Sequence, residues 1–247
     1  MTNGLEALAR MKYPGRFIII GRSTSENDVI IYGITGRSPS SQARKLEFDE
    51  EQTKILVKPT DEETLKQGDP DLLVYPAIIF GLGGIAISNG KQTRDAAYHC
   101  NGTGIYSLLS IFSHNLECWE YEPDSPNFTP RISGIVGFDE RYQEVRGALS
   151  AIKRAENGST IKQYFEVPVI PGKGKLISTY TGENINPLPS FQGEPLDVTI
   201  SAEDPKEVAR QVYDSLNPQF RVAVVTVFDA RDGHRRSSII NRIGEGK

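Results

Sequence analysis

The stretch FIIIGRSTSENDVIIYGI, residues 17–34, decides the fold of this chain. It contains two runs rich in Ile and Val, Phe17–Gly21 and Val29–Ile34, separated by the turn-forming residues Ser25-Glu26-Asn27-Asp28. Such runs on either side of a polar turn are typical of a β-hairpin. We therefore predict two antiparallel strands near the N-terminus.

Short apolar runs of the same kind recur along the chain and predict further strands. They are Ile55–Lys58, Ala77–Phe80, Gly84–Ser88, Ile132–Gly137, Ala148–Lys153, Lys162–Val169, Lys175–Thr181 and Val222–Phe228. Asn157-Gly158 favours a tight hairpin turn between two of them, and Phe80-Gly81-Leu82-Gly83-Gly84 is interpreted as another turn. Val145, Leu149 and Ile152 would also fit one face of a helix, so that segment has two interpretations.

Three segments have helical patterns. Leu5–Lys12 is short and amphipathic, and Ile105–Asn115 carries apolar residues at helical spacing. Pro205–Leu216 begins with Pro, and Asp204 is placed to cap it. Many strands and few helices indicate an α+β fold built on large antiparallel sheets.

The 247 residues are long enough for a substantial core and fit one domain, with its core at about residues 13–229. The stretch Gly182–Pro195 is rich in Pro, Gly and Asn and is expected to form a long ordered loop. Arg231–Lys247 is polar and net positive, and we expect it to be a frayed tail.

Charge and composition argue against several classes of protein. With 28 Lys and Arg against 32 Asp and Glu, the net charge of −4 gives no global reason to bind nucleic acid or an anionic membrane. No apolar run is long enough to span a membrane, and the segment MTNGLEALAR lacks the features of a secretory signal. Two cysteines, Cys100 and Cys118, are interpreted as reduced thiols in a cytoplasmic protein.

Two Arg-Ser pairs follow the strands of the first hairpin and are candidates for binding an anion. Arg22-Ser23 follows the first strand, and Arg37-Ser38 follows the second. A guanidinium and a hydroxyl suit a phosphate or carboxylate, although a solvated turn has the same composition. Because hairpin strands run antiparallel, Arg22 and Arg37 need not lie at the same end.

Other polar groups follow or begin later strands. Asn89, Gly90 and Thr93 could orient a base or a carboxamide, or simply form a turn. Asn101 precedes the second predicted helix in Asn101-Gly102-Thr103-Gly104, where an N-cap is the alternative to an anion site.

Three further side chains could carry out chemistry. Arg131 begins a strand and would point either into a cleft or to water. Tyr180 and Glu183 end a strand and enter the long loop, which makes them candidates for proton transfer. The spacing of His, Cys and Asp matches no zinc site. The chemistry expected of this chain also requires no metal or organic cofactor.

These segments together resemble the archaeal-type IMP cyclohydrolase family. The residues that carry the resemblance are Gly15-Arg16-Phe17 through Gly21-Arg22-Ser23, Gly36-Arg37-Ser38, Ser88-Asn89-Gly90 with Thr93, Thr129-Pro130-Arg131-Ile132, Ser178-Thr179-Tyr180 and Phe220-Arg221-Val222-Ala223. This chain is longer than the compact archaeal members, as in Gly137–Lys153 and the Gly182–Pro195 loop, and looks like a bacterial relative.

The resemblance implies an Ntn-hydrolase-like fold, a four-layer αββα sandwich of two antiparallel sheets between helices. It also implies closure of FAICAR (formamidoimidazole carboxamide ribonucleotide) to the purine ribonucleotide IMP with loss of water, and a homo-oligomer. On this hypothesis the substrate is held by Arg22, Ser23, Arg37, Ser38, Asn89, Gly90 and Thr93. Tyr180 and Glu183 would transfer protons, and Arg131 or Asn101 would stabilise the oxyanion.

Two alternatives from other classes stay open. The first is a non-catalytic purine nucleotide-binding protein of the same fold. The second is an amide hydrolase whose nucleophile is Thr2, exposed by removal of Met1.

Overall fold

The computed structural model of the chain describes residues 5–61, 74–81, 83–97, 107–139, 141–230, 232 and 234–242. Within these residues the chain forms two large antiparallel sheets and a few helices, which confirms the predicted α+β class.

The first sheet has six strands and is built around the predicted hairpin. Its strands are β1 (Arg16–Arg22), β2 (Asp28–Thr35), β10 (Lys173–Ser178), β11 (Leu196–Thr199), β12 (Arg221–Asp229) and β13 (Arg235–Asn241), in the order β11-β10-β1-β2-β12-β13. Ile19 lies opposite Ile31 in the hairpin and Arg22 opposite Asp28, so the connection is formed by residues 23–27 and the predicted turn residue Asp28 already belongs to β2.

The second sheet has seven strands joined in sequence order. These are β3 (Arg44–Phe48), β4 (Lys54–Pro59), β5 (Tyr75–Gly81), β6 (Gly84–Ser88), β7 (Arg131–Asp139), β8 (Glu144–Arg154) and β9 (Thr160–Val167). The predicted turns between β5 and β6 and at Asn157-Gly158 are confirmed.

Five helices are described outside the sheets. They are α1 (Glu6–Ala9), α2 (Pro39–Gln42), α3 (Thr93–Ala97), α4 (Leu108–Asn115) and α5 (Pro205–Ser215). The Asp204 side chain accepts a hydrogen bond from the Lys206 backbone N–H, which confirms the predicted cap of α5. Ser107 caps α4, so this helix begins at Leu108 rather than at the predicted Ile105.

Both faces of the hairpin are buried, which explains its unbroken apolar composition. Successive side chains of a strand point to opposite faces of the sheet. Ile18 and Ile20 pack in a cluster to which both sheets contribute, whereas Phe17 and Ile19 pack in a second cluster with α5. A third cluster joins α3 and α4 to the second sheet.

The strand interpretation of the segment with Val145 and Leu149 is confirmed, whereas the expectation of a frayed tail is wrong. Val145, Leu149 and Ile152 belong to β8 and not to a helix, because β8 pairs along its length with β7 and β9. The expected tail contains β13, which pairs with β12. Asn241 fixes this edge strand, since its amide both accepts from the Leu46 N–H (2.8 Å) and donates to the Leu46 carbonyl (3.0 Å).

Candidate active site

One cavity, of about 370 Å³, lies where several strands begin or end. This volume is within the range of small-molecule sites. It is lined by Tyr13, Arg16, Arg37, Ser38, Ser41, Arg44, Tyr75, Asn89, Glu122, Asp124, Asn127, Thr129, Tyr180 and Leu188. The antiparallel register explains the convergence, because the start of β1 lies beside the ends of β2 and β10.

Three guanidinium groups, from Arg16, Arg37 and Arg44, make one side of the cavity basic. Within the described part of the chain, none of the three has a carboxylate partner in an ion pair. The Nε of Arg44 is buried without a hydrogen-bond partner there. Burial, together with the charge of Arg16, lowers the pKa of Arg44 to about 10, so Arg44 stays charged at neutral pH. Neighbouring arginines without a carboxylate partner are suited to bind an anion.

Neighbouring groups orient Arg37 and Ser38. The Arg37 guanidinium lies over the Tyr13 ring at 5.2 Å and donates to the Ile185 carbonyl at 3.1 Å. Ser38 caps the short helix α2, where its Oγ accepts from the Ser41 N–H at 3.2 Å. The long loop and α2 therefore hold both groups at the cavity wall.

Glu122 also lines the cavity and is bound by Arg131. A guanidinium nitrogen of Arg131 lies 2.5 Å from the Glu122 carboxylate. Arg131 also donates to the Glu120 carbonyl (2.7 Å) and to Gln92 Oε1 (3.2 Å), and it stacks over the Trp119 ring at 4.8 Å. Burial raises the pKa of Glu122 above its ordinary value, against the opposing effect of Arg131.

Tyr180 is buried and lines the same cavity. Its ring stacks on Tyr13 with centroids 5.9 Å apart, and its hydroxyl lies 2.8 Å from Thr129 Oγ1. Burial raises the pKa of the Tyr180 phenol, which is therefore neutral at physiological pH.

The side-chain amide of Asn89 makes three hydrogen bonds within the described part of the protein. Its Oδ1 accepts from Gln92 Nε2 and from the Ile132 N–H, each at 2.9 Å, and its Nδ2 donates to the Pro130 carbonyl at 2.9 Å. An amide nitrogen has two hydrogens. Asn89 can therefore offer one further N–H to a ligand.

The structure brings only part of the sequence-predicted set together. Arg37, Ser38, Asn89 and Tyr180 line the cavity. Arg131 and Gly90 lie behind Glu122, and an added Cβ on Gly90 would lie 3.1 Å from Arg131 Nη1.

The other predicted residues lie elsewhere. Arg22 and Ser23 are at the opposite end of β1 from Arg16, about 20 Å away for a strand of this length. Arg22 pairs there with Asp28 at 3.1 Å, and Ser23 is buried in the turn. Thr93 is buried and donates to the Gly90 carbonyl, Glu183 is exposed outside the cavity, and Asn101 lies outside the described residues.

Several cavity residues were not among the sequence candidates. They are Tyr13, Arg16, Ser41, Arg44, Tyr75, Glu122, Asp124, Asn127, Thr129 and Leu188. Arg16 and Arg44 begin strands, which is the kind of signal that selected Arg131. Glu122 lies in an irregular segment without periodicity, so no sequence pattern selects it.

The fold defines an α+β protein with two antiparallel sheets, and the cavity brings three arginines and Glu122 together. A family model described as "IMP cyclohydrolase-like protein" matches residues 13–233. The chain therefore belongs to this family, which confirms the resemblance seen in the sequence.

Two relatives from Methanococcus maripaludis are each called IMP cyclohydrolase. The protein of strain S2 is 23% identical over 228 residues, and that of strain C7 is 25% identical over 227 residues. Each alignment covers 92% of this chain and 100% of the relative. The range matched by the family, residues 13–233, spans the positions of all the cavity residues.

The residues that the structure describes lack two features. They contain no helix long and apolar enough to cross a membrane. They also contain no group of three or more His, Cys, Asp or Glu side chains arranged to hold a metal ion.

Proposed function

We propose that this chain is an IMP cyclohydrolase that closes the ring of FAICAR to give IMP and water. The observation that carries the proposal is the convergence of Arg16, Arg37 and Arg44 on one cavity that also contains Glu122. The family and the two archaeal relatives support the choice of reaction. We also propose one domain with a four-layer αββα arrangement of the Ntn-hydrolase type, supported by the cluster between the sheets and by helices packed on their outer faces.

The arginines would bind the phosphate of the substrate. A ribonucleotide monophosphate carries a compact dianion, and guanidinium groups suit its oxygens in charge and in hydrogen-bond geometry. Ser38 adds a hydroxyl at the same wall. Binding the phosphate would fix one end of the substrate, so that the reacting groups are held in the remaining part of the cavity.

Ring closure forms one C–N bond of the ring, converts a second C–N bond to C=N, releases the formyl oxygen as water and transfers two protons. The carboxamide nitrogen attacks the formyl carbon, and one proton moves from that nitrogen to the formyl oxygen. The resulting hydroxyl then leaves as water with the proton of the formamide nitrogen, as the new C=N bond forms. A carboxyl group with a raised pKa can carry protons in both directions near neutral pH.

Glu122 is the group that we assign to this proton transfer. It faces the cavity, and burial raises its pKa. Arg131 would act as a positioning residue, because its donors are directed to Glu122, Gln92 and the Glu120 carbonyl. The remaining N–H of Asn89 would contribute to orienting the substrate, in line with the role expected from the sequence.

Incubation of the protein with FAICAR, followed by the absorbance of IMP, tests the proposal. Turnover above the spontaneous rate is the expected result, and binding without turnover would favour the non-catalytic nucleotide-binding protein. Thr2 lies outside the described residues, and its role is therefore tested by substitution. A Thr2→Ala variant with full FAICAR turnover would argue against Thr2 as the nucleophile of an amide hydrolase. The cytoplasmic location and the homo-oligomeric state stay proposals, for cell fractionation and light scattering to test.

A further inference from the structure

A chain of three hydrogen-bonding side chains ends at the cavity. The Tyr180 hydroxyl lies 2.8 Å from Thr129 Oγ1, and Thr129 Oγ1 lies 2.5 Å from Asp124 Oδ2. The backbone N–H of Thr129 donates to the other oxygen of the same carboxylate at 2.6 Å. All three side chains belong to the cavity wall.

The chemistry of these groups fixes which one donates in each of the hydrogen bonds between their side chains. An ionised carboxylate only accepts hydrogen bonds, and a Thr or Tyr hydroxyl has a single proton to donate. Thr129 therefore donates its proton to Asp124. The oxygen of Thr129 can then only accept from Tyr180, so the phenolic proton points at Thr129 and not into the cavity.

The Tyr180 ring is also fixed in place. Its backbone N–H donates to the Pro14 carbonyl at 3.2 Å, and its ring stacks on Tyr13. Only lone pairs of the phenol oxygen are then available to a ligand. A ligand N–H would find an acceptor at this point, whereas a ligand oxyanion would find no donor.

We propose that Thr129 and Asp124 hold the Tyr180 hydroxyl as a hydrogen-bond acceptor towards the cavity, so that the site selects a nucleotide carrying a carboxamide over its carboxylate counterpart. The inference rests on the proposed function, because it requires the imidazole end of the substrate to reach Tyr180. Tyr180 is then a specificity residue rather than the proton carrier expected from the sequence, and Thr129 is a positioning residue.

Calorimetric titration with two probes tests this inference. The probes are 5-aminoimidazole-4-carboxamide ribonucleotide and the corresponding 4-carboxylate, which differ only in the group presented to Tyr180. The wild-type protein should bind the carboxamide about tenfold more tightly, since one hydrogen bond is gained and one unpaired acceptor is avoided.

Three variants separate the positioning role of Thr129 from the acceptor role of Tyr180. Thr129→Val removes the acceptor of the phenolic proton without altering the Asp124 side chain itself, so the preference for the carboxamide should fall about tenfold. Thr129→Ser retains the hydroxyl and should retain the preference. Tyr180→Phe removes the acceptor itself and should weaken carboxamide binding about fivefold.

The outcomes are distinct from those of the turnover assay. A folded Thr129→Val protein with the wild-type preference would overturn the inference, and so would a Tyr180→Phe protein with unchanged carboxamide affinity. The Tyr180→Phe result decides the matter if Thr129→Val does not fold. A wild-type protein that converts FAICAR but binds both probes equally overturns this inference alone, whereas absence of both binding and turnover overturns the proposed function as well.

Discussion

The carboxylate of Glu122 and the guanidinium of Arg131 lie 2.5 Å apart, with only about an eighth of each side chain exposed. Arg131 begins β7, whereas Glu122 belongs to the irregular segment before it. The pair therefore ties that segment to the second sheet and directs Glu122 at the cavity.

Replacement of Glu122 by Gln should lower kcat by about 10²- to 10⁴-fold with a much smaller change in KM, because proton transfer is lost while the shape of the side chain is kept. The measurement is steady-state turnover of FAICAR. Glu120→Gln is a matched control, since Glu120 is exposed and contributes only its backbone carbonyl to Arg131. Equal losses in both variants would argue against the role of Glu122.

Replacement of Arg37 or Arg44 by Ala should weaken nucleotide binding by about 10- to 100-fold, the usual cost of losing a hydrogen bond to a charged group. Calorimetric titration with IMP measures the effect. Arg10→Ala is the control, because Arg10 is exposed, lies outside the cavity lining and, among the described residues, pairs with Glu6 of α1. If Arg22→Ala lost as much affinity as Arg37→Ala, the separation of Arg22 from the cavity would be contradicted.

Replacement of Gly90 by Ala should lower kcat by disturbing the Arg131 cluster. The added Cβ would lie 2.6 Å from Gln92 Oε1 and 3.1 Å from Arg131 Nη1, so at least one of these groups must move. Gly81→Ala is a milder control, because its added carbon meets only the Gly84 carbonyl oxygen at 3.3 Å. A Gly90→Ala protein with wild-type kinetics would show that the cluster adapts without effect on Glu122.

The pH dependence of stability should reveal the raised pKa of Asp28, which lies opposite Arg22 at the end of β1 far from the cavity. Burial raises the pKa of Asp28 to about 6 from an ordinary 3.8, and Asp229 adds to the effect while Arg22 opposes it. The folded state therefore binds the proton more tightly than the unfolded state. This contribution to stability is present below about pH 3.8 and is lost as the pH rises through about 6.

Urea unfolding of the wild type and of Asp28→Asn measures this effect. The free energy of unfolding of the wild type, relative to the variant, should decrease from about pH 4 to pH 7, by at most about 1.4 kcal/mol per pH unit. Asn cannot titrate, so the difference between the two proteins isolates Asp28 from the other carboxylates. A difference independent of pH would show that the pKa of Asp28 is not raised.

Much of the fold was predictable from local sequence. The Ile- and Val-rich runs at Phe17–Gly21 and Val29–Ile34 form β1 and β2, and Asp204 with Pro205 marks the start of α5. These features depend on propensity and capping, which act between near neighbours. The strand β13 was missed because its residues are mostly polar, and its position depends on pairing with β12 and on Asn241.

The sequence by itself determined the α+β class, most of the strands and the family. Only the tertiary structure decided which polar groups share a cavity. Arg16 and Arg22 lie on one strand of seven residues, yet only Arg16 reaches the site, because an extended strand places its two ends far apart. Glu122, Thr129 and Tyr180 meet because separate segments converge at one end of the sheets, and no local pattern records that convergence.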